Sequence, residues 1–223
     1  MTTRASRSRG MPRRRTAPVA SPSRLPLLLG GGLIALITVA AVVAVALSGT
    51  ARSGLVEPAR AATGVTGDAL PTFTDPASDP AVGRPIPTLT GTDLAGGAIT
   101  IGPDDGPMAV IILAHWCSVC QAEVPVLVDY LASTGMPDGV RLVALSTSID
   151  AARPNYPPSA WLEREGWTAP TMVDDASSRG LSALGMTSFP GFVFVDADGT
   201  VVQRYTGQMP TEAFDQVVRS LTP

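Results

Sequence analysis

Apolar residues fall into two alternating rhythms along residues 85–223, and each rhythm predicts an element. "AITI" (98–101) reads as a short strand. "MAVIILA" (108–114) is a continuous, β-branched apolar run after a Pro/Gly/Asp turn, the pattern of a strand buried on both faces. From Ser118 to about Thr134 the period changes: Val124, Leu127, Val128 and Leu131 recur at i, i+3, i+4 and i+7, which predicts a helix. "RLVALS" (141–146) is a second buried strand. "PPSAWLERE" (157–165) is a short helix with prolines where a helix start tolerates them. "PTMVDD" (170–175) gives a strand, and 176–184 a helix closed by Gly185. "FVFVDADGTVVQRY" (192–205) is a hairpin turning at Asp198-Gly199, and Phe214, Val217, Val218 and Leu221 mark one face of a closing helix. The order β-β-α-β-α-β-α-β-β-α implies parallel strands covered by helices, with an antiparallel edge from the hairpin. The fold class is α/β, a mixed central sheet flanked by helices, of a size that suits one core.

Before residue 85 the rhythm disappears. Residues 1–24 carry seven arginines, no acid, and many Ser, Pro and Thr, a composition unable to bury enough apolar surface to order itself. Residues 25–47 hold no charge. At about 1.5 Å per residue they span roughly 35 Å, enough for a hydrocarbon core of about 30 Å. A cleaved signal peptide competes with an uncleaved anchor, but its apolar region is about 7–15 residues, so length favours the anchor. Either way the arginine cluster stays on the cytoplasmic side and the remainder is sent out of the cytoplasm, and the anchor reading places the protein in the cell membrane as a single-pass chain with its N-terminus cytoplasmic. Residues 48–84, rich in Ala, Gly, Thr, Ser, Pro and Asp, read as a flexible tether. Residues 61–223 hold seven arginines against eighteen carboxylates, a net of −11, which argues against nucleic acid as a partner.

The chemistry gathers in "AHWCSVCQAEVP" (114–125), which contains both cysteines of the chain and its single histidine. As a structural staple the pair is poor: a disulfide closing so short a loop is worth roughly 2 kcal/mol in the chain-entropy model. As a metal site it offers two thiolates and His115, fewer than the four ligands of structural zinc, although Cu(I) accepts fewer and softer donors. Redox chemistry fits best. Cys117 lies where an apolar strand gives way to a helix, and the unpaired N–H groups there favour a thiolate. Cys120, one turn on, is placed to attack a mixed disulfide. C-x-x-C beside a βαβ pattern is a redox signature, and an exported domain meets disulfide substrates.

The segment resembles the W-C-x-x-C-x-x-E-x-P stretch of the thioredoxin superfamily, in particular its membrane-anchored TlpA/ResA-like thiol–disulfide oxidoreductases. "TLTGTDLAGGAITI" (88–101) is similar to that family's extension before the active-site strand, and "TSFPGFVFVDADG" (187–199) to its cis-proline segment and hairpin. Pro125 falls where the family kinks its helix. The resemblance implies a thioredoxin-like fold with Cys117 as nucleophile and Cys120 as resolving cysteine. It implies that Trp116 flanks the site, that Pro190 is cis, and that the Phe189 backbone pairs with an extended substrate segment. Its partners would be protein thiols or disulfides, with a membrane electron donor and apocytochrome c or copper-protein cysteines among those the family uses. No dissociable cofactor is needed, because the electrons reside on the two sulfurs. Peroxidase relatives frame their cysteine with Pro and Thr, which "ILAHWC" lacks.

The chain also departs from the pattern. Ile111 stands where thioredoxins carry a buried acid on the active-site strand, so that proton acceptor is missing. Glu123 could replace it, but a glutamate one turn beyond Cys120 is more often a solvated face residue, and that is the expectation here. His115 either faces the site as a cation or is a satisfied buried histidine, and strand alternation favours the second. Tyr156, Trp161 and Trp167 are expected to belong to a helix packed on the sheet. The alternative function is a thioredoxin-fold copper-binding chaperone using the cysteines as ligands.

Overall fold

The computed structural model describes residues 61–222. The expected tail (1–24), anchor (25–47) and first part of the tether (48–60) lie outside those residues. Among the described residues no helix is long and apolar enough to cross a membrane.

Eight strands form one mixed sheet: β1 (Gly64–Thr66), β2 (Thr88–Asp93), β3 (Ala98–Ile101), β4 (Met108–Leu113), β5 (Arg141–Ser146), β6 (Thr171–Val173), β7 (Gly191–Val195) and β8 (Val201–Thr206). The order across the sheet is β1-β2-β6-β5-β4-β7-β8, with β3 paired to β2 as a hairpin. β4, β5 and β6 run parallel, while β7 and β8 turn antiparallel at one side. Helices α1 (Ser118–Ser133), α2 (Pro158–Arg164), α3 (Arg179–Ala183) and α4 (Thr211–Ser220) alternate with the strands as the periodicity predicts.

All six residues of β4 are buried, which explains its unbroken apolar run. The pleat divides them by period 2. Ala109, Ile111 and Leu113 face a core built with Cys120, Val124, Leu127, Phe192, Phe194, Phe214 and Val218, on the side of α1 and α4. Met108, Val110 and Ile112 face a second core with Leu181, Leu184 and Met186 around α3. The chain leaves this doubly covered strand directly into α1, so whatever sits at that junction rests on a rigid base.

The hairpin turns as expected: the Asp196 carboxylate accepts the N–H groups of Asp198 (3.0 Å) and Thr200 (2.9 Å), and Gly199 takes φ +76°. Three features differ from the sequence reading. β1 and β2 were not foreseen as strands, because "GVT" and "TLTGTD" offer one apolar side chain each. The expected tether is not a tether from residue 61 onward: β1 pairs with β2, and Leu70, Phe73 and Ala81 enter the second core. Asp79 fixes this segment to β8. Its carboxylate receives Arg204 Nε (2.8 Å) and Nη2 (2.5 Å), while Nη1 donates to Leu184 O (2.8 Å), and the Arg204 side chain is wholly buried. The Arg204 hydrogen bonds hold the Asp79 carboxyl below the usual range, against the opposing effect of burial.

A second carboxylate ties the same end together. Buried Asp174 accepts from Thr63 Oγ1 (2.9 Å), Thr147 Oγ1 (2.6 Å) and the backbone N–H groups of Asp175 (2.9 Å), Gly180 (2.8 Å) and Leu181 (3.0 Å). The first turn of α3, the chain after β5 and the N-terminal segment therefore share one anchor. Domain folding extends well upstream of residue 85.

Candidate active site

Ala114, His115 and Trp116 carry the chain from β4 to Cys117, the residue that caps α1. Cys117 keeps extended backbone angles (φ −76°, ψ 118°), so its sulfur turns back over the first helical turn and accepts the Cys120 N–H at 3.5 Å. The same Sγ, as a thiol, lies 3.6 Å from Phe189 O and donates to it. Cys117 is partly exposed, whereas Cys120 is fully buried, and both are free thiols. Burial pushes the Cys120 thiol far above its ordinary pKa. A hydrogen bond with the Ala114 backbone opposes that rise, and the neighbouring Cys117 and Glu123 add to it. Two cysteines three residues apart thus have opposite environments, one at the rim and one beneath it.

Glu123 corrects the sequence expectation. It is 1% exposed, not a solvated face residue, and lies on the α1 face that carries Cys120, Val124, Leu127 and Tyr130 into the core. The hydrogen bond it accepts is from the Met209 N–H to Oε1, at 3.3 Å. Burial raises its pKa, and that bond only partly offsets the rise. Ile111, in the same core cluster as Cys120, leaves the strand side without a proton acceptor. The buried carboxyl of this region is on the helix instead, at Glu123. Its position three residues after Cys120 and four before Leu127 was the available signal, since both neighbours are on the buried stripe.

Phe189–Pro190 is cis, Pro190 is buried, and the carbonyl that joins the two residues is the one that meets the Cys117 sulfur. Phe189 is half-buried and meets the Trp116 ring edge-on at 5.7 Å. Its backbone N–H has no partner among the described residues, and its carbonyl faces only the Cys117 sulfur. The structure therefore brings Trp116, Cys117, Cys120, Phe189 and Pro190 into one constellation.

His115 is buried and satisfied. Its Nδ1–H donates to Pro154 O at 2.7 Å and its Nε2 accepts the Asp150 N–H at 3.2 Å, an arrangement that requires the neutral ring. Burial lowers its pKa, against smaller raising effects of the Pro154 bond and the Asp150 charge. With both nitrogens engaged, His115 is not available as a third ligand beside the cysteines. Among the described residues no three or more His, Cys, Asp or Glu groups gather in a metal-binding cluster.

What the sequence reading missed is the 148–157 loop after β5. Ser148 O accepts Trp116 Nε1–H (2.7 Å), and the Asn155 side-chain amide reaches His115 O (3.4 Å). Arg153 places its guanidinium carbon 4.3 Å from the centre of the Trp116 ring. The aromatic residues nearby divide. Trp161 and Trp167 are buried in the core cluster that contains Cys120, as expected, whereas Tyr156 stands 37% exposed with its ring edge toward His115 at 6.0 Å.

Comparison with known proteins matches this arrangement. The family model described as Redoxin covers residues 66–221. Thiol-disulfide oxidoreductase ResA of Bacillus thuringiensis subsp. konkukian is 24% identical over 144 residues, covering 64% of this chain and 79% of its own. ResA of Bacillus anthracis has the same identity and coverage. Among solved structures, a DsbF homologue from Corynebacterium diphtheriae superposes with a TM-score of 0.54 at 16% identity, over 68% of this chain and 99% of its own. The thioredoxin domain of a thiol-disulfide oxidoreductase from Bacteroides vulgatus gives 0.51 at 20% identity, over 64% and 99%. These structures share the fold, and the family match spans both the cysteine segment and the cis-proline segment. The chain belongs to the Redoxin family, has a thioredoxin-like fold, and is similar in sequence to thiol-disulfide oxidoreductases of the ResA kind.

Proposed function

We propose that this protein exchanges disulfides with protein substrates on the outer side of the membrane to which its N-terminus is anchored, through the Cys117–Cys120 pair. One observation carries the reading: an accessible sulfur at a helix start, 3.6 Å from Phe189 O, has a buried thiol and a buried carboxyl beneath it on the same helix face.

The chemistry follows from that layering. The Cys117 thiolate attacks one sulfur of a substrate disulfide. The substrate S–S bond breaks, a Cys117–substrate disulfide forms, and the departing substrate thiolate takes a proton from water. Cys120 then loses its proton to the Glu123 carboxylate and attacks Cys117 Sγ. The mixed disulfide breaks, a Cys117–Cys120 disulfide forms, and the second substrate thiolate leaves. Two electrons pass from the pair to the substrate, and the reverse sequence oxidises a dithiol. An extended substrate segment would pair with the free Phe189 N–H, lying over Pro190 and against Trp116. Anchoring rests on the uncharged 25–47 stretch behind seven arginines.

The test is the reduction potential of the full-length chain, equilibrated against glutathione or dithiothreitol and read by tryptophan fluorescence. A two-electron transition at or below about −230 mV marks a reductant supplied by a membrane donor. One near about −120 to −180 mV marks a disulfide donor. Absence of any transition that is lost in Cys117→Ser overturns the exchange reading. Labelling of Cys117 in intact cells by a membrane-impermeant maleimide tests the location, and protection until lysis would overturn it.

A further inference from the structure

Residues 61–223 contain seven arginines among eighteen carboxylates, so an arginine without an acidic partner is the exception to explain. Among the described residues five arginines stand within 4.0 Å of a carboxylate oxygen, and Arg84 and Arg153 do not. Arg84 Nε donates to the Pro80 carbonyl, four residues back (3.1 Å). Arg153 makes no side-chain hydrogen bond with any described residue, and it is exposed. Its nearest acid in sequence, Asp150, turns its Oδ1 onto the Ala152 N–H instead (2.9 Å).

The guanidinium is nevertheless held in place. It lies over Trp116, the residue before the nucleophilic cysteine. Trp116 is itself fixed by its bond to Ser148 O and by the edge of Phe189. The loop that presents Arg153 is pinned on both sides of it, by the Asp150 N–H on His115 Nε2 and by Pro154 O on His115 Nδ1–H. Ser148 and Asn155, which bracket it, take the left-handed φ values of +50° and +63°, unusual for residues with side chains. Backbone strain of that kind persists where the surroundings over-determine it, and it concentrates at functional sites. With no side-chain partner among the described residues, its planar row of donors is open to a carboxylate, which an arginine fork receives in two parallel hydrogen bonds.

We infer that Arg153 is a specificity-determining residue, which selects protein substrates carrying an acidic side chain beside the reacting cysteine. In a domain of net charge −11, such a substrate is repelled by the field as a whole. One fixed cation at the rim of the cysteine site offsets that repulsion locally and orients the segment lying along Phe189. His115 acts through the loop, as a positioning residue for Arg153.

This inference rests on the disulfide-exchange reading, and one experiment separates the two. The substrates are two peptide homodisulfides of identical sequence, except that the residues flanking cysteine are Glu in one and Gln in the other. The purified full-length chain and its Arg153→Gln and Arg153→Lys variants reduce each peptide with dithiothreitol as terminal donor, and direct reduction by dithiothreitol is subtracted. The Glu-to-Gln ratio of kcat/KM in the unmodified protein should exceed that of Arg153→Gln about two- to fivefold, the range one exposed charge pair supplies. The difference should lie mainly in KM and narrow at about 0.5 M salt. Arg153→Lys should keep part of the preference through its charge. Equal ratios in all three proteins, with turnover intact, overturn the inference and leave the exchange reading standing. Failure of the unmodified protein both to reduce either peptide disulfide and, in its oxidised form, to oxidise the corresponding peptide thiols overturns both.

Discussion

Replacing Glu123 with Gln separates its proposed chemistry from its packing. Gln keeps the shape and can still accept the Met209 N–H through its own Oε1. It cannot take a proton. Two effects then act on Cys120 in opposite directions. The Coulomb contribution of Glu123 is the smallest cause of the raised Cys120 pKa, so removing that charge eases ionisation only slightly. Losing the base removes a contribution that in enzymes is about 10²- to 10⁴-fold. Base loss wins, and the easing of Cys120 places the net effect near or below the lower end, a slowing of about 10- to 100-fold. The step affected is attack of Cys120 on the Cys117 mixed disulfide, whereas formation of that mixed disulfide changes little. Stopped-flow single turnover resolves the two steps.

The pH dependence gives an independent reading of the same residue. Burial raises the Glu123 pKa, so the resolving step should accelerate with pH along a limb above the usual carboxylate range. The limb should vanish in Glu123→Gln. Stability should move the other way. A carboxyl whose folded pKa is raised contributes its full stability below its unfolded pKa of about 4.3 and loses it as pH rises through the folded value. The Gln variant should therefore match the parent at pH 4 and exceed it at pH 8. About 0.5–2 kcal/mol is the usual scale when a destabilising functional group is removed. Urea unfolding at the two pH values measures this. A resolving step of unchanged rate and unchanged pH limb, or a variant less stable at pH 8, would refute the assignment of Glu123 as the base.

Other expectations test the frame around the site. Asp79→Ala leaves Arg204 buried without its partner and should cost about 3–5 kcal/mol in urea unfolding. Because the folded pKa of Asp79 is lowered, its contribution is present above about pH 3.9 and should be lost as pH falls through the folded value, a loss absent from Asp79→Asn. Gly185→Ala should lower Tm strongly, since φ is +66° and a Cβ would meet Pro71 O at 2.3 Å and Leu70 O at 2.7 Å. His115→Phe should raise hydrogen exchange at the Asp150 amide, which donates to His115 Nε2. In the parent that amide should lose protection as pH falls below about 6.5 through the lowered folded pKa of His115, because protonation puts a second donor against it.

The parts legible in the sequence are those whose signal is local. β4 announces itself because all six residues are buried, and α1 because its apolar side chains repeat with the helical period. Cys117 and Cys120 were readable from their spacing at a strand–helix junction, Trp116 and the Phe189–Pro190 pair only through motif resemblance, and the backbone then placed them together. The N-terminal segment was misread because its contributions are isolated. Leu70, Phe73 and Ala81 follow no period, and Asp79 finds its partner 125 residues away, so nothing nearby marks either residue as buried. Arg153 was overlooked for a related reason: its meaning depends on which arginines have carboxylate partners, and pairing across the fold is invisible along the chain.

Glu123 belongs to neither group. Its spacing from Cys120 was local and readable, but the usual exposure of glutamate outweighed it. Burying a carboxyl under one hydrogen bond is unfavourable, and an ordinary core would place an apolar side chain there. The strand side of the same cluster does so with Ile111, at the position where thioredoxins hold their acid. Moving the acid from strand to helix has a geometric consequence. Cys120 and Glu123 now lie on one rigid helix, three residues apart, so their spacing is set by α1 alone and not by how α1 sits on the sheet. A shift of α1 against β4 that opened Cys117 to a substrate would carry base and resolving thiol along together. On this arrangement the second step stays organised while the first is taking place, and a polar residue buried against the usual preference acquires a reason to be there.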